Sequence, residues 1–506
     1  MKFKTVLLFW LFILPLTIFA QRITYTLPER DDSRSLNFEV LGKISGNFLI
    51  YKNNRNKNAV CVYDNDMKLK ERVDLDFIPD RTINVDFVAY PDYFYAIYQY
   101  QRHGVLYCMG VKLNGDGAKM SEPIQLDTTF ISVFADNKIY STIFSEDKQH
   151  IMIYKIQKKN EKFNFTTLLF NADLQLQHKS RWVVPYEERK DVYSDFFVDN
   201  DGNFVFAKST KSGSRELISE VSLITKAPQS DTFAVTPVNL KNYYLDEVKL
   251  KIDNINKRIL LNSFYYQQKR GNIDGLYTAV WDRQTNKQIV ENEIKFSDTL
   301  RIQAKAEGGL RLAFNDFFIR NVILKKDGGF ILAGEDFYSQ SRGNPWNRYD
   351  FLNGYNYNYL SPYDYYYYSP SGFWYRPRGF YGNNSQTRYY YDNVIVMNID
   401  NNGKLVWSNV LHKSQYDDGT DDFLSYQIMN GGGELHFLFN ELQRRNSQLL
   451  SDQSIDGDGK LTRRPTLKSL DKGYQFMPKY AKQVSARQIV IPCILRNNIC
   501  FAKIDY

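Results

Sequence analysis

Histidine and cysteine are scarce in this chain, five and four among 506 residues. His103, His150, His178, His412 and His436 are scattered, and no Cys-x-x-Cys occurs, so the clustered ligands of a zinc site are absent from the sequence. Four cysteines are also too few for a disulfide-dense scaffold. With 28 glycines and 15 prolines, the composition excludes a collagen-like or globally disordered chain. There is no Gly-x-Ser-x-Gly elbow, no phosphate-cradling Gly-x4-Gly-Lys-[Ser/Thr] and no Gly-x-Gly-x-x-Gly. Beyond the first residues, no run is long and apolar enough to span a bilayer. The net charge of +8 is spread over the whole length. Its densest stretch, Lys155, Lys158, Lys159 and Lys162, reads as a solvated hairpin loop and not as the basic stripe that nucleic acid requires. No cofactor is implied.

What the chain has in quantity is tyrosine (38) and phenylalanine (35), which favour strands. Short apolar runs separated by Gly, Asn and Asp turns recur roughly every 50 residues, the mark of a repeat array or β-propeller. Asp327-Gly328-Gly329-Phe330-Ile331-Leu332 is a tight turn feeding a strand, and Ile399-Asp400-Asn401-Asn402-Gly403-Lys404-Leu405-Val406-Trp407 is a strand, a turn and a strand. Repeats are expected to start near Leu36, Val85, Ile131, Tyr193, Val248, Phe314, Phe423 and Gly473. The expected fold is all-β, a β-propeller of about eight four-stranded blades spanning 21–506, with seven blades as the alternative. The last repeat holds only three strands, around Phe476, from Gln488 to Leu495 and from Ile499 to Ile504. The lone strand Ile23 to Leu27 is expected to supply the fourth and close the ring. A short helix is expected from Ala306 to Phe314, unless that stretch is a loop between blades.

Residues 1–20 read as a secretory signal: Lys2 and Lys4, an apolar stretch from Val6 to Phe19, and cleavage between Ala20 and Gln21, with an uncleaved anchor as the alternative. No cysteine follows for a bacterial lipid anchor. In an exported protein, Cys493 and Cys500 would face each other across a hairpin turn at Arg496-Asn497, close enough for a cross-strand disulfide, or stand with Cys61 and Cys108 as buried small hydrophobes.

Tyr338 to Tyr391 interrupts the sixth repeat. It holds 15 of the tyrosines, five arginines and no lysine. Its candidate binding residues are Tyr365, Tyr366, Tyr367, Tyr368, Phe373, Trp374, Tyr375, Arg376, Arg378 and Tyr381. Tyr pairs an apolar ring with a polar tip, and Arg stacks on aromatic faces, so the segment suits a partner protein or a polysaccharide. Sticky low complexity and packing over the propeller's own face are the other readings. Two acidic loops, Asp417 to Asp422 and Asp452 to Lys460, read as solvated turns. The pair Asp456 and Asp458 resembles part of a calcium loop but lacks the completing Glu. Asp195, Asp246 and Asp316 lie near repeat starts, where a carboxylate pair for glycosidase chemistry could face the channel.

The segment Ile399 to Trp407 resembles the strand pair of bacterial quinoprotein-like and WD-type propellers in blade pattern only. The resemblance implies the fold and carries over no quinone. The whole chain resembles exported propellers of Gram-negative bacteria. Together these readings predict a non-catalytic scaffold of the envelope, periplasmic or outer-membrane-associated, binding a protein through the insertion and one propeller face. The alternative is a propeller that binds or cleaves polysaccharide.

Overall fold

The computed structural model describes residues 21–506 apart from 30–35, 56, 81, 134–137, 186, 188–189, 214–216, 270, 306–312, 342–345, 349–351, 353–366, 369–386, 443–447 and 465–472. Residues 1–20, expected to be a signal, lie outside the described residues, as do Tyr365, Tyr366, Phe373, Trp374, Tyr375, Arg376, Arg378 and Tyr381.

The chain is a β-propeller of four-stranded antiparallel blades. The opening strand β1 is Arg22–Tyr25. Blade 1 is β2 (Leu36–Ile44), β3 (Asn47–Asn54), β4 (Lys57–Tyr63) and β5 (Leu69–Asp74), and blade 2 is β6 (Thr82–Ala89), β7 (Tyr93–Arg102), β8 (Val105–Asn114) and β9 (Ile124–Phe130). Blade 3 is β10 (Ser141–Phe144), β11 (His150–Lys159), β12 (Lys162–Asn171) and β13 (Leu176–Pro185). Blade 4 is β14 (Asp191–Val198), β15 (Phe204–Lys211), β16 (Ile218–Lys226) and β17 (Ala234–Val238). The short β18 (Tyr244–Leu245) joins it to blade 5, which is β19 (Lys249–Asp253), β20 (Arg258–Tyr266), β21 (Gly275–Asp282) and β22 (Lys287–Lys295). Blade 6 is β23 (Phe317–Leu324), β24 (Phe330–Ser341), β26 (Thr387–Ile399) and β27 (Leu405–Leu411), with β25 (Tyr367–Tyr368) inside its insertion and β28 (Gln415–Asp418) after it. Blade 7 is β29 (Tyr426–Asn430), β30 (Glu434–Leu442), β31 (Gln448–Asp456) and β32 (Leu461–Arg463). The eighth unit holds β33 (Gln475–Phe476), β34 (Lys482–Ser485), β35 (Gln488–Leu495) and β36 (Asn498–Asp505).

The expected borrowing of the N-terminal strand is present: β1 pairs with β36 from Arg22↔Asp505 to Tyr25↔Ala502. Apolar layers fill the space between successive blades, from Leu49 and Val60 against Val85 and Phe94 onward. The series ends with Met477, Val490 and Phe501 of blade 8 packed on Leu36, Phe48 and Cys61 of blade 1. First strands of neighbouring blades abut: β2 meets β34 and β6, and β14 meets β10 and β19.

The repeat pattern in the sequence has a local cause. Asp64 Oδ1 accepts from the amides of Asp66 and Lys68, and the same capped turn recurs at Asn114, Asn171, Asp199, Asp400 and Asp456. Such an Asx turn substitutes a side-chain acceptor for a backbone one. Its fourth residue is left-handed: Gly117, Gly202, Gly403 and Gly459, but Met67 (φ 56) and Leu174 (φ 55) in two copies. Those two accept an unfavourable backbone because their side chains are buried in the layers between blades. At Gly459 (φ 84) a Cβ would lie 2.7 Å from the Trp407 ring, whose Nε1 donates to Gly457 O at 3.0 Å. Gly459→Ala is therefore expected to destabilise by ~2–4 kcal/mol, read from a denaturant midpoint, whereas Gly432→Ala, with open space around it, should show the backbone strain alone.

Two boundaries differ from the sequence reading, and one helix is added. The inner strand of blade 8 is β34, because Pro478–Tyr480 forms a 3-10 turn after Phe476. The stretch expected as a short helix, Ala306 to Phe314, lies outside the described residues over 306–312. A helix not anticipated from the sequence, α1, is Asp298–Ala304, started by Ser297, whose Oγ accepts from Leu300 N at 3.2 Å, and buried through Leu300 and Ala304. β24 and β26 remain paired out to Ser341↔Thr387, so both ends of the Tyr338–Tyr391 segment are ladder. Cys493 and Cys500 are directly opposite around the Arg496-Asn497 turn, as the spacing implies, and both are buried free thiols.

Candidate functional site

The insertion begins as a stalk. β24 and β26 extend past the blade, and β28 adds a third strand against β26 from Arg388↔Asp418 to Tyr391↔Gln415. Tyr338 stacks on Tyr390 at 4.4 Å, Ser341 Oγ and Thr387 Oγ1 share a hydrogen bond of 2.7 Å, and Arg388 grips Asp418 at 2.7 and 3.0 Å. Cross-strand aromatic and ionic pairs of this kind stabilise the ladder, beside a small cluster of Phe318, Phe337, Tyr391 and Leu424 at its base.

Beyond the stalk, two side chains return to the propeller. Trp346 Nε1 donates to Asp316 Oδ1 at 2.6 Å, with its ring edge-on to Phe337. Arg348 places Nε 3.1 Å from Asp246 Oδ2, donates from Nη2 to the same carboxylate and to Phe317 O, and lies over the Phe318 ring at 3.8 Å. Asp246 and Arg348 are both buried. Burial pushes the Asp246 carboxyl up, and the Arg348 guanidinium opposes it. Two of the three aspartates marked as channel candidates thus fasten the root of the insertion to the starts of blades 5 and 6. The third, Asp195 (φ 54), sits in a bulge of β14 and accepts from Leu250 N at 2.7 Å.

Under the root lies a buried ionic group that the sequence did not signal. Glu335 takes Lys413 Nζ at 2.8 Å, Arg320 Nε at 3.3 Å and the Ser425 hydroxyl at 2.7 Å. Lys413 also donates to Tyr391 O and Gln415 Oε1, and burial lowers its pKa. Blades 6 and 7 are stitched together here by these contacts. The acidic loops are occupied in the same manner. Asp421 accepts from the Tyr391 hydroxyl, Asp422 accepts from the Tyr480 hydroxyl, and Asp456 caps its own turn.

Of the ten sequence-predicted binding residues, Tyr367 and Tyr368 are described by their backbone. They form β25, which pairs antiparallel with Gln157 and Ile156 of β11 in blade 3. The insertion leaves from blade 6 and makes its strand contact on blade 3.

One carboxylate of the inner strands was missed. Glu39 on β2 has its pKa pushed up to about 7 by burial, against the pull of Lys482 on β34 and with a further push from Asp86 on β6. Its neighbours come from three blades, so no local motif marks it. The folded state holds this proton between the ordinary value of 4.5 and about 7, so stability is full below 4.5 and declines as pH rises through 7. Glu39→Gln is expected to remove that slope and to be the more stable protein at pH 8 by about 1–3 kcal/mol, read from urea midpoints at a series of pH values.

No protein-family model and no curated protein matches the chain. Among solved structures it is similar to prolyl oligopeptidase B from Galerina marginata, at 8% identity and TM-score 0.40, over 91% of this chain and 56% of that one. It spans little more than half of that enzyme. It is also similar to a PL25 ulvan lyase (11% identity, TM-score 0.36, 82% of this chain and 90% of that one) and to the polysaccharide lyase Uly1 (10%, 0.36, 83% and 89%). Among the described residues no helix is long and apolar enough to cross a membrane.

Proposed function

We propose that this protein is a non-catalytic interaction module of a Gram-negative envelope, which presents its Tyr-rich insertion to a protein partner from one face of a closed propeller. The observation that supports this reading is the double fastening of the insertion root, Trp346 to Asp316 and Arg348 to Asp246. A sticky segment without a task needs no buried ion pair at its base. A binding arm does, because a preset direction reduces the ordering cost of binding. The carboxylates nearest the root are held by cations, hydroxyls or amides, which favours binding over acid–base chemistry at this face. Export accords with Lys2, Lys4, the apolar stretch to Phe19 and the Ala20-Gln21 junction. Ring closure accords with the β1–β36 ladder and the layer between blades 8 and 1.

The test is affinity purification from native envelopes, comparing the tagged protein with a variant whose residues 342–386 are replaced by a short Gly/Ser link. A defined protein recovered with the first and lost with the folded second is the expected outcome. Equal recovery with both would remove the insertion from the binding role.

A further inference from the structure

The apolar layer between blades 2 and 3 stops halfway along the strands. On the blade 2 side of β11 and β12, Ile151, Ile153, Leu168 and Phe170 pack on Ile97, Leu106 and Cys108. The same faces continue, two residues at a time, as Lys155 and Gln157 on β11 and, opposite them, Thr166 and Asn164 on β12. Beside these, β13 sets Lys179 opposite Leu168 and Arg181 opposite Thr166. Blade 2 supplies the other wall from Thr128, Thr129 and Phe130 of β9. What remains between the blades is a cavity of about 550 Å³, within the ~300–1,000 Å³ of ligand sites.

We propose that this cleft binds an acidic saccharide. The site does not rest on the insertion's partner reading, although Tyr367 of the insertion pairs with Gln157 at its edge. Its floor is built and rigid. Lys155 Nζ donates to Asp127 Oδ2 at 2.6 Å, to Thr129 Oγ1 at 2.7 Å and to the Tyr140 hydroxyl at 3.1 Å. Burial raises the Asp127 carboxyl, but the hydrogen bonds from Lys155 and Lys179 outweigh it and hold the group below the usual carboxylate range. Asp127 takes Lys155 and Lys179, and Asp231 at the rim shares a hydrogen bond of 3.0 Å with His178, so three cationic side chains, Lys155, Lys179 and Arg181, stand against two carboxylates. The cleft therefore keeps an excess of positive charge. Arg181 spends one Nη2 contact on Asn164 Oδ1 at 3.3 Å and leaves the rest of its fork to the opening, where it can take a carboxylate or sulfate through two parallel bonds. Thr128, Gln157 and Thr166 line the same space with side chains that take no protein partner among the described residues. Hydroxyl and amide groups without partners, next to an exposed Phe130 ring (87% exposed), suit a ligand with many hydroxyls and one apolar face.

The test uses the full mature chain and calorimetric titration with two probes, a galacturonic acid hexamer and a heparin-derived hexasaccharide. At least one is expected to bind, more weakly at high salt. Arg181→Gln should weaken it about tenfold with no change in thermal midpoint, and Lys179→Gln, which also removes a hydrogen bond to Asp127, should weaken it with a lower midpoint. Both positions are exposed, and Phe130→Ala gives a third variant that adds no buried charge. Silence of both probes at millimolar concentration in the folded protein would overturn the proposal. So would equal binding of a neutral glucose hexamer, no effect of the Arg181 and Lys179 variants, or a glutamate-rich peptide binding in place of the saccharides.

Discussion

Arg348→Met is expected to destabilise the protein by about 3–5 kcal/mol, because Asp246 would stay buried without its cation. Asp246 and Arg348 are 0% and 6% exposed at the side chain, and the guanidinium also serves Phe317 O and covers the Phe318 ring. The loss therefore combines an unpaired charge, an unmet carbonyl and a gap beside an aromatic. Removing both charges together, Asp246→Leu with Arg348→Met, should return much of the stability, since a buried pair adds little over apolar residues that fill the same space. The double variant should still lose partner recovery, because stability and the direction of the arm are separate properties. Urea midpoints of the single and double variants check the first statement, and recovery from envelopes checks the second. Equal midpoints for wild type and Arg348→Met would mean that the root is not held by this pair.

Removing residues 21–26 is expected to be worse for the propeller as a whole. The β1 ladder binds four residues of β36, and Thr26 extends it by exchanging hydrogen bonds with Phe501 at 2.9 and 3.0 Å. Tyr25 stacks on Tyr474 at 4.2 Å, and Gln21 Nε2 donates to Asp452 at 2.6 Å. Net hydrogen-bond contributions near 1 kcal/mol each, with the burial of Ile23 and Tyr25, put the loss at roughly 5 kcal/mol or more. It also bares β36 as an edge strand, so light scattering should rise along with the fall in midpoint. A peptide covering Gln21 to Leu27, added in excess, should restore both. An unchanged midpoint for the truncated chain would show that the seam carries no load.

The contrast between what could and could not be read in the chain follows contact range. Asp400 to Gly403 and its counterparts specify their turns through amides two and four residues away, so the repeats and the number of blades were legible. The Cys493–Cys500 register was legible for the same reason, with a two-residue turn between them. Long-range partners were not. Asp246 and Asp316 were found as unusual positions, but nothing local indicates that Arg348, 102 residues on, and Trp346, 30 residues on, would claim them. The cleft at Lys155 escaped notice because it is assembled from two blades. The same lysine-rich stretch looks like an ordinary solvated hairpin when read along the chain. Composition alone marked Tyr338 to Tyr391 as different, without showing that its ends are strands. The missed helix start at Ser297 and Asp298 had a local signal, an N-cap with an acidic first turn.

The most direct test of the central claim is site-specific photocrosslinking in cells. A photoreactive residue is placed at Trp374 in the insertion or at Ile289, an exposed position on β22 of blade 5. One discrete adduct with an envelope protein is predicted from position 374, weakened by Arg348→Met and absent from position 289. No adduct at 374 in a folded, exported protein, or the same adducts at both positions, would contradict the account.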